Sequence, residues 1–433
     1  MKRRMKRTAG VVFSAALLMG GVTACGSAST NSSNSGTSGG NSTSSGNGQK
    51  VTITFDMWGP VPQKYNFIKA FEKKYPNIHV ALTEIPQTNY SQKINAEVAS
   101  GTAPDVMLLW ENQIQQFAKD GAVVNLDTYI KNDPSLQPSN FIPAFQQLAQ
   151  QSGGTYGLPW VWATHLLYYN KTMFKKAGVP YPTANWTWHD YQNAAKKLTI
   201  VKNGKTVQWG SAPIGFPGVW YSLAGSAGDQ IVKNGKLSIG QGAIKAMQWQ
   251  NTLVNQLHVE PQPSTGNGSV DLFQAGKAAM EMNGSWMIST YDSITNFKWD
   301  VAPLPYDTTP FDGLHTAFFT INSKSSHKTA DWDFIKFMMS PQGQKLLEEG
   351  QNNVSAEVSL ANKTWYQNAG TNGPTNWAVF NQIAKYAKLG YVLLPAGLTT
   401  DGTNQFNAVL LGQKTPQQAL QQIQQQASQV SGG

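Results

Sequence analysis

Arginine is almost missing from this chain: three of 433 residues, all within the first seven positions. A guanidinium is the side chain best shaped for bidentate capture of carboxylate or phosphate. A body equipped with lysine alone is therefore a poor reader of nucleic acid or of a phosphorylated ligand. Cysteine is scarcer still, with Cys25 the single copy, which excludes a disulfide framework and a multi-cysteine metal cluster. Charged residues make up only 13%, and the six histidines, His79, His165, His189, His258, His315 and His327, show no metal-ligand spacing. The nominal net charge of +9 shrinks once Lys2, Arg3, Arg4, Lys6 and Arg7 are set aside, because 28 basic residues then face 24 acidic ones. The expected ligand is neutral, with no metal and no cofactor.

Catalytic signatures are missing too. There is no Gly-x-Ser-x-Gly elbow, no His-Glu-x-x-His zinc helix and no Gly-x-x-x-x-Gly-Lys-Ser/Thr phosphate loop. A glycosidase needs only two carboxylates and no motif, so a secreted carbohydrate-active enzyme stays open as the second class of function.

No apolar run is long enough to span a bilayer, which takes about 20 residues. The stretch from Val11 to Met19 follows a basic start and ends in small residues, so residues 1–24 read as an export signal and the mature protein as extracytoplasmic. Val22-Thr-Ala-Cys25 resembles the lipobox of bacterial lipoproteins, which implies acylation of Cys25 and membrane anchoring through that lipid. Gly26 to Gly48 is almost wholly Ser, Gly, Asn and Thr. With nothing to bury, residues 25–50 read as a lipidated cysteine and a disordered tether of roughly 25 Å r.m.s. span.

The remainder, at 40% hydrophobic and 11% aromatic, has enough material for two lobes. Val51 to Phe55 alternates as a strand, Phe67, Phe71 and Tyr75 recur at helical spacing, and Ile78, Val80 and Leu82 alternate again. Ile94 and Val98 mark a helix that Gly101 can end, and Val106 to Trp110 is a continuous apolar run suited to a buried parallel strand. In an open parallel sheet the ligand crevice lies beyond the carboxyl ends of the strands. That points to Trp58, Glu84, Trp110, Glu111 and Asn112. A second α/β unit starts near His165: Leu166 to Tyr169 reads as a strand, Thr187-Trp-His-Asp190 as a capping box, and Ala278 to Met282 as a strand ending in the turn Asn283-Gly-Ser-Trp286. Val301 to Pro305 and Ala317 to Ile321 read as extended. Ala330 to Met339 reads as a helix broken at Ser340-Pro341, and Thr415-Pro416 opens a last amphipathic helix.

The constructive signal is where the aromatics fall. Trp58, Trp110, Trp160, Trp162, Trp220, Tyr221 and Trp286 map to expected strand ends or loops, whereas a core tryptophan belongs inside a periodic apolar pattern. A sugar offers one face of C–H bonds and a rim of hydroxyls, which flat indoles and a few polar acceptors suit.

Several stretches, in order along the chain, carry a family resemblance: Ala99-Ser-Gly-Thr-Ala-Pro-Asp-Val106, Tyr156-Gly-Leu-Pro159, Leu167-Tyr-Tyr-Asn-Lys171, Trp186-Thr-Trp188, Phe273-Gln-Ala-Gly-Lys-Ala-Ala-Met280, Asn283-Gly-Ser-Trp286 and Trp299-Asp-Val-Ala-Pro-Leu-Pro305. The chain resembles the extracellular solute-binding lipoproteins of ABC importers, in particular the carbohydrate branch that includes the maltodextrin-binding proteins. That resemblance implies an α/β, two-lobed Venus-flytrap fold with three interlobe crossings, the ligand between the lobes. On its pattern the N-terminal lobe is 51–163 with 317–354 and the C-terminal lobe 164–316 with 355–433. The crossings fall near Trp162 to Leu166, Asp312 to Thr316 and Asn352 to Ala356. The Trp110 to Gln113 loop matches the family's ligand loop of the first lobe, Trp286 matches its stacking aromatic of the second, and Phe216 to Tyr221 matches another contact region. His165 and His315 lie at two crossings, within reach of a ligand hydroxyl, and Trp162 stands beside the first. The implied partners are a carbohydrate and the permease and ATPase of an importer, with the binding protein a monomer. The sequence lacks the family's Asp-Arg pair in the first-lobe loop, having Asn112-Gln113, and a tryptophan near Thr400. This puts maltodextrin itself in doubt as the ligand. Another neutral solute, such as a polyol, a peptide or a compatible solute, is the alternative.

Overall fold

The computed structural model describes residues 50–59, 64–214, 217–230, 232–233, 236–263, 270–351, 354–356, 372–389 and 396–430. The export signal, Cys25, the tether and Phe216 lie outside them. Among the described residues no helix is long and apolar enough to cross a membrane.

Two sheets organise the chain. Strands β1 (Val51–Gly59), β2 (Ile78–Pro86) and β3 (Val106–Trp110) form a parallel core with β1 in the middle, as the alternating and continuous apolar runs predict. Helix Lys64–Lys74 and helix Gln87–Ser100 are the crossovers that parallel neighbours require. The second of these ends at Gly101, whose φ of +75° lets its N–H turn back onto the carbonyls of Glu97 and Val98. β4 (Leu158–Ala163) and β5 (His165–Asn170) are consecutive strands separated by Thr164 alone, yet they belong to different sheets. β5 is the centre of a three-stranded antiparallel sheet, flanked by β6 (Met280–Gly284) and β7 (Trp299–Ala302). The chain then returns: β8 (His315–Ile321) inserts between β3 and β4 of the first sheet, and β9 (Val354–Ser355) closes its edge, giving the order β9-β4-β8-β3-β1-β2.

Period-two alternation in β5 decides how the cores divide. Leu166 and Tyr168 belong to the cluster shared with the first sheet, whereas Leu167 and Tyr169 face the cluster built with Trp188, Tyr191, Leu223 and Met280. That second cluster also takes the last helix, Pro416–Val430, through Ala419, Ile423 and Ala427, the apolar stripe visible in its sequence. Thr187 caps helix Trp188–Leu198 with both bonds of a capping box in place: Thr187 accepts from the Asp190 N–H and Asp190 accepts from the Thr187 N–H.

Asp300 of β7 ties three stretches together. Its carboxylate accepts hydrogen bonds from Lys171 Nζ (3.1 Å), the Thr375 N–H (2.9 Å) and hydroxyl (2.5 Å), and the Asn376 N–H (2.9 Å). Burial alone would raise its pKa; these donors together outweigh it and hold the carboxyl below its ordinary value.

Two sequence expectations about elements are corrected here. Trp160 lies within β4, not at a strand end, although Trp162 is the strand's penultimate residue, and Trp220 and Tyr221 lie inside helix Pro217–Ser226, not in a loop. The strand read as Ala278 to Met282 begins at Met280 and continues through Asn283 and Gly284, because its pairing with β5 extends to His165.

Candidate functional site

At the carboxyl ends of β1 and β3, Trp58 and Trp110 stack with centroids 4.1 Å apart and planes at 22°. Both are partly exposed, while the rings behind Trp58 are fully buried: Trp160 tilts against it at 5.6 Å and Tyr90 meets it edge-on at 5.4 Å. The loop that follows is set by its own polar groups. Gln113 Oε1 accepts from the Trp110 N–H (3.2 Å), the Gln113 N–H returns to the Trp110 carbonyl (2.9 Å), and Gln113 Nε2 donates to Asn95 Oδ1 (2.9 Å). Within that turn Asn112 is exposed and Glu111 is buried. Glu84, opposite Met57 in the β1–β2 register, is partly buried and lies against Gly59, next to Trp58.

Glu111 leads into a chain of buried polar contacts. Its Oε1 is 2.9 Å from His315 Nδ1, His315 Nε2 is 3.2 Å from His165 Nε2, and His165 Nδ1 is 2.6 Å from Asp312 Oδ1. His165 is fully buried and starts β5, whereas His315 starts β8, so the imidazole contact joins the two sheets where the chain passes between them. Burial lowers the pKa of His165, against the opposing pull of Asp312. Asp312 also accepts from the Thr164 hydroxyl (2.6 Å), the His165 N–H (3.1 Å), the Ser222 hydroxyl (2.9 Å) and the Gly313 N–H (2.7 Å).

Trp286 closes this cluster. Its indole meets His315 at 6.0 Å and His165 at 6.5 Å, both edge-on. The motif Asn283-Gly-Ser-Trp has a steric reason: a Cβ on residue 284 would sit 2.1 Å from the indole carbon Cζ2, so only glycine lets the ring fold over the end of β6. Ser285 anchors the turn by donating its N–H to the Thr164 carbonyl (2.8 Å).

The structure thus brings Trp58 and Trp110 together at one end, and Glu111, His165, His315 and Trp286 together beside them. It places Trp162 against Phe380, edge-on at 5.6 Å and buried, and packs Trp220 on Tyr221 and Phe406. Asp312 and Ser222 were not singled out as site residues from sequence. An aspartate in Phe311-Asp-Gly and a serine on an apolar helix carry no periodic signal, and only the fold joins them to His165.

These elements, two α/β bodies with aromatic and acidic groups gathered at their junction, match known proteins. The family model "Bacterial extracellular solute-binding protein" matches residues 61–345. The chain belongs to that family. Among its relatives is the arabinooligosaccharide-binding protein of Bacillus subtilis (strain 168), 25% identical over 404 residues, covering 87% of this chain and 92% of the relative. Another is the maltooligosaccharide ABC transporter solute-binding lipoprotein of Streptococcus pneumoniae (strain ATCC BAA-255 / R6), 24% identical over 363 residues and 80% of each chain. Among solved structures, the ABC substrate-binding protein Lmo0181 of Listeria monocytogenes in complex with cycloalternan superposes with a TM-score of 0.77 at 26% identity, covering 89% of this chain and all of that one. The GacH receptor of Streptomyces glaucescens, solved unliganded and with acarbose, gives 0.74 at 22% identity, covering 87% of this chain and 97% of that one. The solute-binding family's two-lobed α/β fold is the fold of this chain.

Proposed function

We propose that this family member is the carbohydrate-binding component of an ABC importer, capturing a mono- or oligosaccharide between two lobes and presenting it to a membrane permease coupled to an ATPase. The observation that carries the reading is the indole pair Trp58–Trp110 beside Trp286 and the carboxylate of Glu111, which together offer flat apolar faces and hydroxyl acceptors. The named ligands of the relatives support it. The lobes are taken as 51–163 with 317–354 and 164–316 with 355–433. Ligand touching both favours the closed arrangement by its differential affinity, and this requires no covalent step. The protein binds its sugar and releases it unchanged, as a monomer tethered outside the cell by a lipid on Cys25.

Calorimetry across a panel of mono- and oligosaccharides tests this, with the recovered sugar assayed for new reducing ends. At least one sugar is expected to bind and to be recovered intact, and Trp286→Ala to weaken it at least tenfold while the melting temperature stays within a few degrees of wild type. Each stacked aromatic is worth about 2 kcal/mol or more after ordering costs, which sets that fold-change. A panel with no binder, or sugar cleaved on incubation, would overturn the proposal.

A further inference from the structure

Three of the five large apolar side chains that stay exposed among the described residues sit on one hairpin: Ile200 (36%), Val201 (59%) and Val207 (47%). Its strands, Ile200–Lys202 and Lys205–Gln208, pair only with each other, Lys202 opposite Lys205, across the turn Asn203-Gly204. Both turn residues have positive φ, +52° and +73°, the geometry that a two-residue hairpin loop requires and that Asn-Gly supplies. Lysines at an open sheet edge are enough to block strand pairing, so protection of the edge does not account for three branched aliphatics left in water beside them.

The charge around the hairpin is of one sign. From Tyr191 to Gly228 there are four lysines, Lys196, Lys197, Lys202 and Lys205, and no aspartate or glutamate. All four are exposed and none is ion-paired among the described residues; the lysines that are, Lys93, Lys171, Lys245 and Lys336, lie on other segments. Carboxylates on the flanking segments are engaged inward: Glu260 is buried against Ser211, and Asp271 accepts from the Tyr291 hydroxyl and the Gln274 N–H. Trp209, next along the chain, fixes where this surface lies. Its N–H donates to the Lys277 carbonyl and its carbonyl accepts from the Ala279 N–H, both at 2.9 Å, just ahead of β6. From there the strand runs roughly 17 Å to Gly284 and the Trp286 turn. The hairpin leaves the candidate site uncovered.

We infer that this hairpin is a reversible docking surface for an anionic lipid bilayer, its lysines on the headgroups and Ile200, Val201 and Val207 in the boundary beneath them. A soluble polyanion would use the lysines and leave the aliphatics in water; a second copy of the hairpin would bring the same positive charge. A bilayer with anionic headgroups takes both the charge and the apolar area. Four cations and three small aliphatics bind a bilayer only weakly by themselves. The setting supplies the rest, and here the inference rests on the reading of Cys25 as a lipid anchor: a tether of roughly 25 Å r.m.s. span holds the body at high effective concentration beside the lipid. The tether ends at Val51, which starts β1 at the end opposite Trp58, so neither attachment covers the indole pair.

The unit Gly48–Gly433 is compact in itself and contains both apolar clusters, so binding can be measured without the leader or its lipid. Vesicles of phosphatidylcholine with about one-third phosphatidylglycerol should carry it down on sedimentation at low salt and release it at about 0.5 M salt, and pure phosphatidylcholine vesicles should leave it in solution. Lys202→Gln with Lys205→Gln should weaken binding about twentyfold, and Val201→Ser with Val207→Ser about tenfold. Melting temperatures should not change, because all four side chains are exposed. Hydrogen exchange at residues 199–208 should slow when vesicles are added. Wild-type protein that stays in the supernatant, or hairpin variants that sediment as wild type does, would overturn the inference. Valine variants that bind like wild type while the lysine variants do not, or polyglutamate bound as tightly as vesicles, would replace the lipid surface by a soluble acidic partner. No sugar enters the assay, so an empty sugar panel would defeat the function proposal and leave this result standing; an unacylated Cys25 would remove the tether and not the vesicle binding.

Discussion

Thermal stability should fall as pH rises from about 5 to about 8, and Glu260→Gln and Glu281→Gln should each remove part of that fall. Burial pushes both carboxyls up to about 8. The hydrogen bonds around them agree. Ser211 touches the Ala212 carbonyl (2.9 Å), the Tyr191 hydroxyl (2.6 Å) and Glu260 (3.1 Å); it has one proton to give. If it gives that proton to Ala212, it must accept from both Tyr191 and a protonated Glu260. In the same way the Tyr291 hydroxyl lies 2.6 Å from Glu281 and 2.9 Å from Asp271, and one hydroxyl proton cannot serve both. A protonated Glu281 donating to Tyr291, which donates to Asp271, satisfies the three groups. For a carboxyl whose folded pKa is raised above its unfolded value, the stabilisation is complete below the unfolded value and is lost as pH rises through the folded one. From 4.5 to about 8 this amounts to about 5 kcal/mol for each group. Asp331, pushed up to about 7 by burial, acts in the same direction. Melting curves across this range, with the two glutamine variants flatter than wild type, check the claim; a wild-type melting temperature that rises towards pH 8 would refute it.

The same residues show what was legible in the sequence and what was not. Strand and helix periodicity is local, so β1 to β3, the helix that Gly101 ends and the capping box at Thr187 all read correctly from neighbours a few positions apart. The tryptophans did not sort so cleanly. Burial depends on what arrives from far along the chain: Trp162 is covered by Phe380, and Trp220 by Phe406. No pattern around residue 162 or 220 announces that cover. Glu260 and Glu281 were invisible for the opposite reason, since an acidic residue reads as a solvated surface group unless its partners, here Ser211 and Tyr291, are known to fold over it. The contacts that run from Glu111 through His315 and His165 to Asp312 share this character. His165 and His315 were expected at crossings because the resemblance put crossings there. Their mutual contact, and the part of Asp312, depend on a strand from each sheet ending at one point.

Trp110→Ala should reduce sugar affinity by about two powers of ten with little loss of stability, whereas Trp160→Ala should cost about 3–5 kcal/mol of folding free energy. The two indoles sit in one cluster with Trp58 between them, yet they differ in what surrounds them. Trp160 is fully buried, in contact with Trp58 and with Phe319 at 5.8 Å, so its removal leaves a cavity that packed neighbours cannot fill. Trp110 is the partly exposed outer ring, held in its turn by Gln113 and stacked on Trp58. Truncating it removes partly exposed aromatic area and little core. An aromatic buries about 150–250 Å² when covered, near 4–6 kcal/mol at about 25 cal/mol per Å², of which about half survives the ordering cost of binding. Trp110→Phe keeps a flat ring and should recover most of the affinity. Calorimetry with the best sugar of the panel and a melting curve for each variant separate the two roles. Full affinity in a folded Trp110→Ala protein would remove the stacked pair from the binding site.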